Sequence, residues 1–304
     1  MPMLPVAPPQ AVPIFSGFDY LTVDAARRRV YAAHTASNAL LVVDADTGKI
    51  IGQVKVGNLH GVAVDPATGH VFTGNGTDES VSEVDPVTLK EIRSADVPGV
   101  IDAIVFDAGN SRIYADEDNG THVYVIDTKS MKTIATIDVP GHKPEYLAVD
   151  PKTHEVYQNI TDLQEVAVID PVTLKVSRTF PTPQVTANHP LQFDPDYRHL
   201  IIGGKNGVLA TFLPSGTLVG TLAISQQGVD QCDLDRTSHV FVCAGSGTLA
   251  VFRDNATGPA SLVTTTDISK TAHTVAIDPK SMTVWTVWPQ ADGDYVAGFK
   301  IPKS

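Results

Sequence analysis

Residues 146–153 read YLAVDPKT and residues 166–175 read VAVIDPVTLK. Each is an alternating aliphatic run that stops at an Asp and passes into turn formers. An Asp side chain accepts hydrogen bonds from backbone amides just ahead of it, and Pro presets φ at the next position. Both segments therefore read as a strand running into a tight turn. The first recurs as YLTVD (Asp24), GVAVDPATG (Asp65), AIVFDAGN (Asp107), PLQFDPDY (Asp194), QCDLDRTS (Asp235) and TVAIDPKS (Asp278). Successive anchor aspartates are 41, 42, 43, 44, 41 and 43 residues apart. A period just over forty, held through seven copies, is the mark of a repeat architecture.

Within each period the anchor is followed by a β-rich run such as RIYADE or HVFVCA. A third run closes on a second turn (LLVVDADTGK, VSEVDPVTLK, VYVIDTKSMK), and a fourth follows, as in TIATIDVPG. Four short strands with turns every eight to twelve residues make one propeller blade. The expected fold is all-β, a seven-bladed β-propeller of four-stranded antiparallel blades, in one domain over residues 1–304. The seventh repeat supplies only HTVAID, TVWTVW and YVAGFKI before the chain stops. That leaves an open sheet edge, and the segment AVPIF, residues 11–15, is expected to fill it.

The VxxxDPxTxK turns and the repeated VIDPVTLK-type segments resemble the YVTN-repeat family of bacterial β-propellers, which includes surface-layer and periplasmic members. The resemblance spans residues 16–301. It implies the propeller fold and is nearly silent on activity, since one fold hosts many unrelated functions.

Function has to come from a site. Five residues before each anchor stand Asp19, His60, Asp102, Glu145, His189, Asp230 and His273. The chain has 10 His and 34 Asp plus Glu in 304 residues. Filling a seven-member column with these types by chance has odds on the order of one in a million before correction for the columns inspected. The column falls at the start of each first strand, which lines the central channel. Bare carboxylates crowded at one channel mouth would repel, and some would stay protonated. A divalent cation relieves this, and mixed imidazole and carboxylate ligands suit Zn²⁺, Mn²⁺ or Fe²⁺ better than Ca²⁺. His60, His189 and His273 are the expected ligands. Asp102, Glu145, Asp19 and Asp230 are the expected catalytic or ligand-orienting carboxylates. His34, Asn75, Asp116, Glu117, Asn159 and Trp288, where second strands return to the same face, are expected to rim a pocket above the channel. The competing reading is a hydrated channel lining in which His and Asp simply pair.

A net charge of −12 leaves no basic stripe for a phosphate backbone, so no nucleic-acid partner is expected. No apolar run approaches the roughly eighteen residues that cross a bilayer, so no membrane partner is expected either. Two cysteines, Cys232 and Cys243, fall on neighbouring strands of one hairpin, where a bridge and a pair of buried thiols are both open. The Pro-rich start lacks the basic and apolar regions of a signal peptide. The chain is expected in the periplasm or outside the cell with its leader removed, with the cytoplasm as the alternative, and as a monomer acting on a small molecule. The expected activity is metal-dependent hydrolysis of an ester, lactone or phosphoester, against a metal-assisted lyase or a non-enzymatic binding propeller.

Overall fold

A computed structural model describes residues 3–12, 17–224 and 228–302. Seven antiparallel sheets form a ring, and the first six each take four consecutive strands in chain order. Blade 1 runs through Leu21–Asp24, Arg29–His34, Ala39–Asp44 and Ile50–Lys55. The first strands of successive blades are neighbours, and that of blade 7, Thr274–Asp278, lies beside Leu21–Asp24 and completes the circle. Among the described residues the one helical element is a 3-10 turn, Thr35–Ser37. Among the described residues no helix is long and apolar enough to cross a membrane.

Burial explains why the blades stack. Second strands such as Val71–Asn75 and Val240–Gly245 are buried at every position. Fourth strands such as Lys132–Asp138 alternate between solvent and sheet. Inner strands are thus covered on both faces by adjacent blades, and only the outermost strand reads as a half-exposed one. The anchor aspartates act as expected. Asp65, Asp150 and Asp194 accept the backbone N–H two residues on at 2.9, 2.9 and 3.0 Å.

The ring is closed by the N-terminus as expected, and Ala11 and Val12 of the expected segment take part, but most of the closing edge comes from residues before it. Gln10–Val12 pairs with Gly293–Lys300, the third strand of blade 7, and Leu4–Pro5 pairs further along the same strand. The closing strand therefore comes in two pieces and starts before residue 11. Residues 13–15 of the expected strand lie outside the described residues. The reason is register: Val12 already faces Asp294 near the strand's start, and the rest of the edge runs back toward Leu4. The seam between blades 1 and 7 is also tied by Arg28, whose guanidinium donates to both oxygens of buried Asp278 at 2.8 and 2.6 Å.

Cys232 and Cys243 stand directly opposite each other and are joined in a disulfide. Both are buried in the blade 6 core. Reduction is expected to lower stability by about 2–3 kcal/mol, because the cross-link restricts a short loop of the unfolded chain. Urea unfolding with and without dithiothreitol checks this, and coincident curves would contradict it.

Candidate functional site

The seven column residues do come together at one mouth of the channel, and local backbone geometry puts them there. In blades 2, 3, 4 and 5 the first strand carries a β-bulge between Leu59 and Val62, Ile101 and Ile104, Glu145 and Leu147, and Asn188 and Leu191. His60, Asp102 and His189 sit inside these bulges and Glu145 at the edge of one. An extra residue bends the strand and re-aims its side chains. Gly61 has a separate role: a Cβ there would meet the Asp102 carbonyl oxygen and the Ile104 nitrogen at 2.7 Å. Only glycine lets blades 2 and 3 approach this closely, and the approach brings His60 toward Asp102.

The column divides into two halves. In blades 1 to 3, His60 Nδ1 lies 2.6 Å from Asp19 Oδ2 and 3.8 Å from Asp102 Oδ1. One ligand atom from each of Asp19, His60 and Asp102 falls within 4.8 Å of the others, the one such group of three among the described residues. Burial drives the Asp102 carboxyl well above the usual range, and the charges of Asp19, Asp116 and Glu145 push it further. Beneath it Asp116 is fully buried, accepting from the Ala103 N–H at 2.6 Å and from the Gln158 amide at 3.0 Å. Burial outweighs these bonds and pushes Asp116 up to about 7. Asp118 is raised too, by burial and then by Glu145.

The other half is made of ion pairs. His189 Nε2 stands 2.9 Å from Glu145 Oε2, and His273 Nδ1 stands 3.0 Å from Asp230 Oδ2. Lys205 contacts Asp230, and Lys143 Nζ lies 3.5 Å from Glu145. Burial works against charge on both histidines, yet the carboxylate beside each raises its pKa. Burial likewise opposes ionisation of Glu145 and Asp230, and His189 and His273 respectively bring them below the usual range. The three histidines therefore do not converge as one ligand set: His60 belongs with two carboxylates, while His189 and His273 each belong to a pair.

The expected rim is not a rim. His34, Asn75, Asp116 and Asn159 are fully buried and Trp288 nearly so. Second strands lie one strand farther from the axis, so their side chains face the neighbouring blades instead of the mouth. The His34 Nε2–H donates to Asp294 Oδ2 at 2.7 Å across the seam. Asn75 bonds to Ser80 and Ser82, and Asn159 donates to the His189 carbonyl at 2.8 Å. Trp288 stacks on Tyr295. Glu117 is held by the Thr121 N–H, His122 and Tyr124. Of the six, Asn159 and Asp116 support the column, Asn159 through the His189 carbonyl and Asp116 through the Ala103 N–H beside Asp102.

Column alignment missed Asp118, Lys143 and Lys205, which lie in the loops between strands. Two tyrosines next to column members form the floor. Tyr146, at φ 64°, reaches across the channel, and its hydroxyl donates to the Cys232 carbonyl at 2.6 Å. Tyr20 packs on Tyr146 with ring centroids 5.5 Å apart. The Tyr20 hydroxyl is buried without a hydrogen-bond partner. Burial raises it far above its ordinary value, and Asp102, Asp19 and Asp116 add to the effect, so it stays a donor.

No family model matches the chain. Over 173 residues it is 27% identical to the uncharacterized protein YncE of Salmonella typhi and of Salmonella typhimurium, covering 54% of this chain. The chain spans about half the length of these curated relatives, 48%. Hydrazine synthase of Kuenenia stuttgartiensis superposes with a TM-score of 0.79 over 94% of this chain and 97% of that one, at 15% identity. That likeness concerns the fold alone, and it agrees with the seven-bladed propeller.

Proposed function

We propose that the chain is a metal-dependent hydrolase, with a divalent transition metal held by Asp19, His60 and Asp102 at the channel mouth. The observation that carries this reading is the trio itself: one imidazole between carboxylates from the two adjacent blades, ligand atoms within 4.8 Å of one another. An ionised Asp102 in so crowded a set is costly without a cation, and a bound Zn²⁺, Mn²⁺ or Fe²⁺ offsets that cost. Such an ion polarises a carbonyl or phosphoryl oxygen and brings the pKa of a bound water toward neutrality. The unpartnered Tyr20 hydroxyl supports the same reading, because it offers a donor to an oxygen bound beside the trio.

Around this centre Asp118, held above the usual carboxylate range, serves as proton acceptor better than Glu145, which His189 holds low. In the opposite half Lys143, Lys205, His189 and His273 outnumber the Glu145 and Asp230 carboxylates they pair with, which suits an anionic group and favours phosphoesters over neutral esters and lactones. The same reading places the chain with the YVTN-repeat propellers, supported by the partial likeness to YncE. The buried disulfide supports an oxidising compartment, the periplasm or the exterior.

Elemental analysis of untagged protein tests the centre. About one metal per chain is expected after incubation with Zn²⁺ or Mn²⁺. It should be lost in His60→Ala and kept when His189 and His273 are both replaced by Ala. Phosphodiester and ester cleavage should follow the metal. Absence of metal under all these conditions would leave the mouth a hydrogen-bonded lining and overturn the reading.

A further inference from the structure

Below the two tyrosines the channel opens again, toward the face that carries the anchor turns, into a cavity of about 680 Å³. Its walls are unequal. Blades 1 to 4 line it mostly with apolar groups, among them Val62, Phe106 and Leu147, with Asp24, Asp107 and His154 between them, while blades 5 and 6 contribute Gln192, Asp233 and Arg236. The sequence marks one of these as unusual. The residue after each anchor Asp is Ala25, Pro66, Ala108, Pro151, Pro195, Arg236 and Pro279. Six blades place a small or rigid residue at the lower mouth, and blade 6 alone places a guanidinium there.

The other charged groups lining the cavity are already hydrogen-bonded. Asp24 accepts from the Arg27 backbone N–H and guanidinium. Asp107 holds His154 and the Gly109 N–H. Asp233 accepts from the Leu234 N–H at 2.9 Å and the Ile277 N–H at 2.7 Å. Among the described residues Arg236 forms no ion pair or hydrogen bond; it is exposed to solvent where it lines the cavity, and Asp233, Asp194 and Asp150 act on it only through space. A fork of five donors without acceptors is therefore presented to an amphipathic cavity of the size that holds small organic ligands.

We propose that this lower cavity is a binding site, separate from the channel-mouth column, for a small amphipathic carboxylate. Its head pairs with Arg236 in bidentate fashion, and its apolar body lies against the walls of blades 1 to 4. Tyr146 and Tyr20 bound the depth and keep the ligand apart from the upper mouth. The polar groups of Gln192 and Asp233 sit on the opposite wall, so the tail avoids them.

Calorimetric titration of octanoate and decanoate, below their micelle concentrations and in EDTA, tests the site. Saturable binding at one per chain is expected, unaffected by the chelator, with decylamine at least about tenfold weaker. Arg236→Gln should weaken decanoate by about tenfold or more and leave the melting temperature nearly unchanged, since the side chain has no internal hydrogen bond or ion pair to lose. Arg236→Lys, which keeps the charge but not the fork, should fall between. No saturable binding to the wild type, equal affinity for decanoate and decylamine, or an affinity indifferent to Arg236→Gln would each overturn the proposal. Loss of metal binding at the upper mouth would leave these results unchanged, so the two sites fail independently.

Discussion

Removal of residues 1–12 is expected to abolish cooperative unfolding, not merely to lower the melting temperature. Leu4–Pro5 and Gln10–Val12 among them complete blade 7. Leu4 and Pro5 face Lys300 and Phe299, and Gln10, Ala11 and Val12 face Val296, Tyr295 and Asp294. The Val6 N–H donates to the Gly298 carbonyl at 2.9 Å and the Met3 N–H to Thr266 Oγ1 at 2.8 Å. Met3 is buried in a core shared with blade 6, and Val12 in one shared with blade 1. Two buried aliphatic side chains are worth about 2–3 kcal/mol each. A handful of ladder hydrogen bonds adds about 1 kcal/mol apiece. The sum is on the order of 8 kcal/mol, comparable with the whole stability of an ordinary domain. The deletion also bares Gly293–Lys300 as an unpaired edge, so aggregation should accompany unfolding. Differential scanning calorimetry and light scattering read both effects, and a synthetic peptide of residues 1–12 should partly restore the transition. An intact cooperative melt in the truncated chain would show that the Arg28–Asp278 clamp and the first-strand contacts hold the ring by themselves.

The ring was legible because its signal is additive. Each anchor turn alone is a common Asp turn, four of them Asp-Pro, but seven at a near-constant spacing leave one architecture. The column was legible for the same reason, since the repeat aligns positions that the ring then brings face to face. Its chemistry was less so. Whether His60 pairs with His189 or with Asp19 and Asp102 depends on bulges of a few ångströms, and the residues that enable them, Gly61 above all, carry no sign of the role. The rim failed for a geometric cause: a second strand is one strand farther out, which turns His34 and Asn159 into blade-to-blade contacts and Asn75 into a bond within its own blade. Loop residues such as Asp118, Lys143 and Lys205 fall where repeat lengths vary, so no alignment of strands finds them. Arg236 is the converse case. It was visible in the aligned anchors from the start, as the one cation among Ala and Pro, but only the cavity beside it gives the departure a meaning.

The metal-free protein is expected to be most stable near pH 5 and to weaken steadily toward pH 8. Asp102 and Asp116 both titrate above the ordinary carboxylate value, Asp116 at about 7. Between about pH 4 and 7 the unfolded chain has released these protons and the native state still holds them, so stability falls as pH rises through that window. For Asp116, fully buried, the change from pH 5 to pH 8 amounts to about 3 kcal/mol at 1.36 kcal/mol per unit. His60, His189 and His273 are raised as well, and their contribution is present below the unfolded value and lost as pH climbs through the folded one. They act in the same direction. Glu145 and Asp230 are lowered, so their contribution is lost only in acid below about pH 4, which sets the other side of the maximum. Urea unfolding in EDTA across pH 4 to 8 measures the profile. Asp116→Asn should remove much of the alkaline loss, because an amide has no charge to desolvate while it keeps an oxygen for the Ala103 N–H. A cation at the trio reverses the balance at Asp102, so Zn²⁺ should stabilise the protein more at pH 8 than at pH 5. A wild-type profile that is flat or climbs to pH 8 would contradict the protonated-carboxyl account. A Zn²⁺ effect independent of pH would separate metal binding from Asp102.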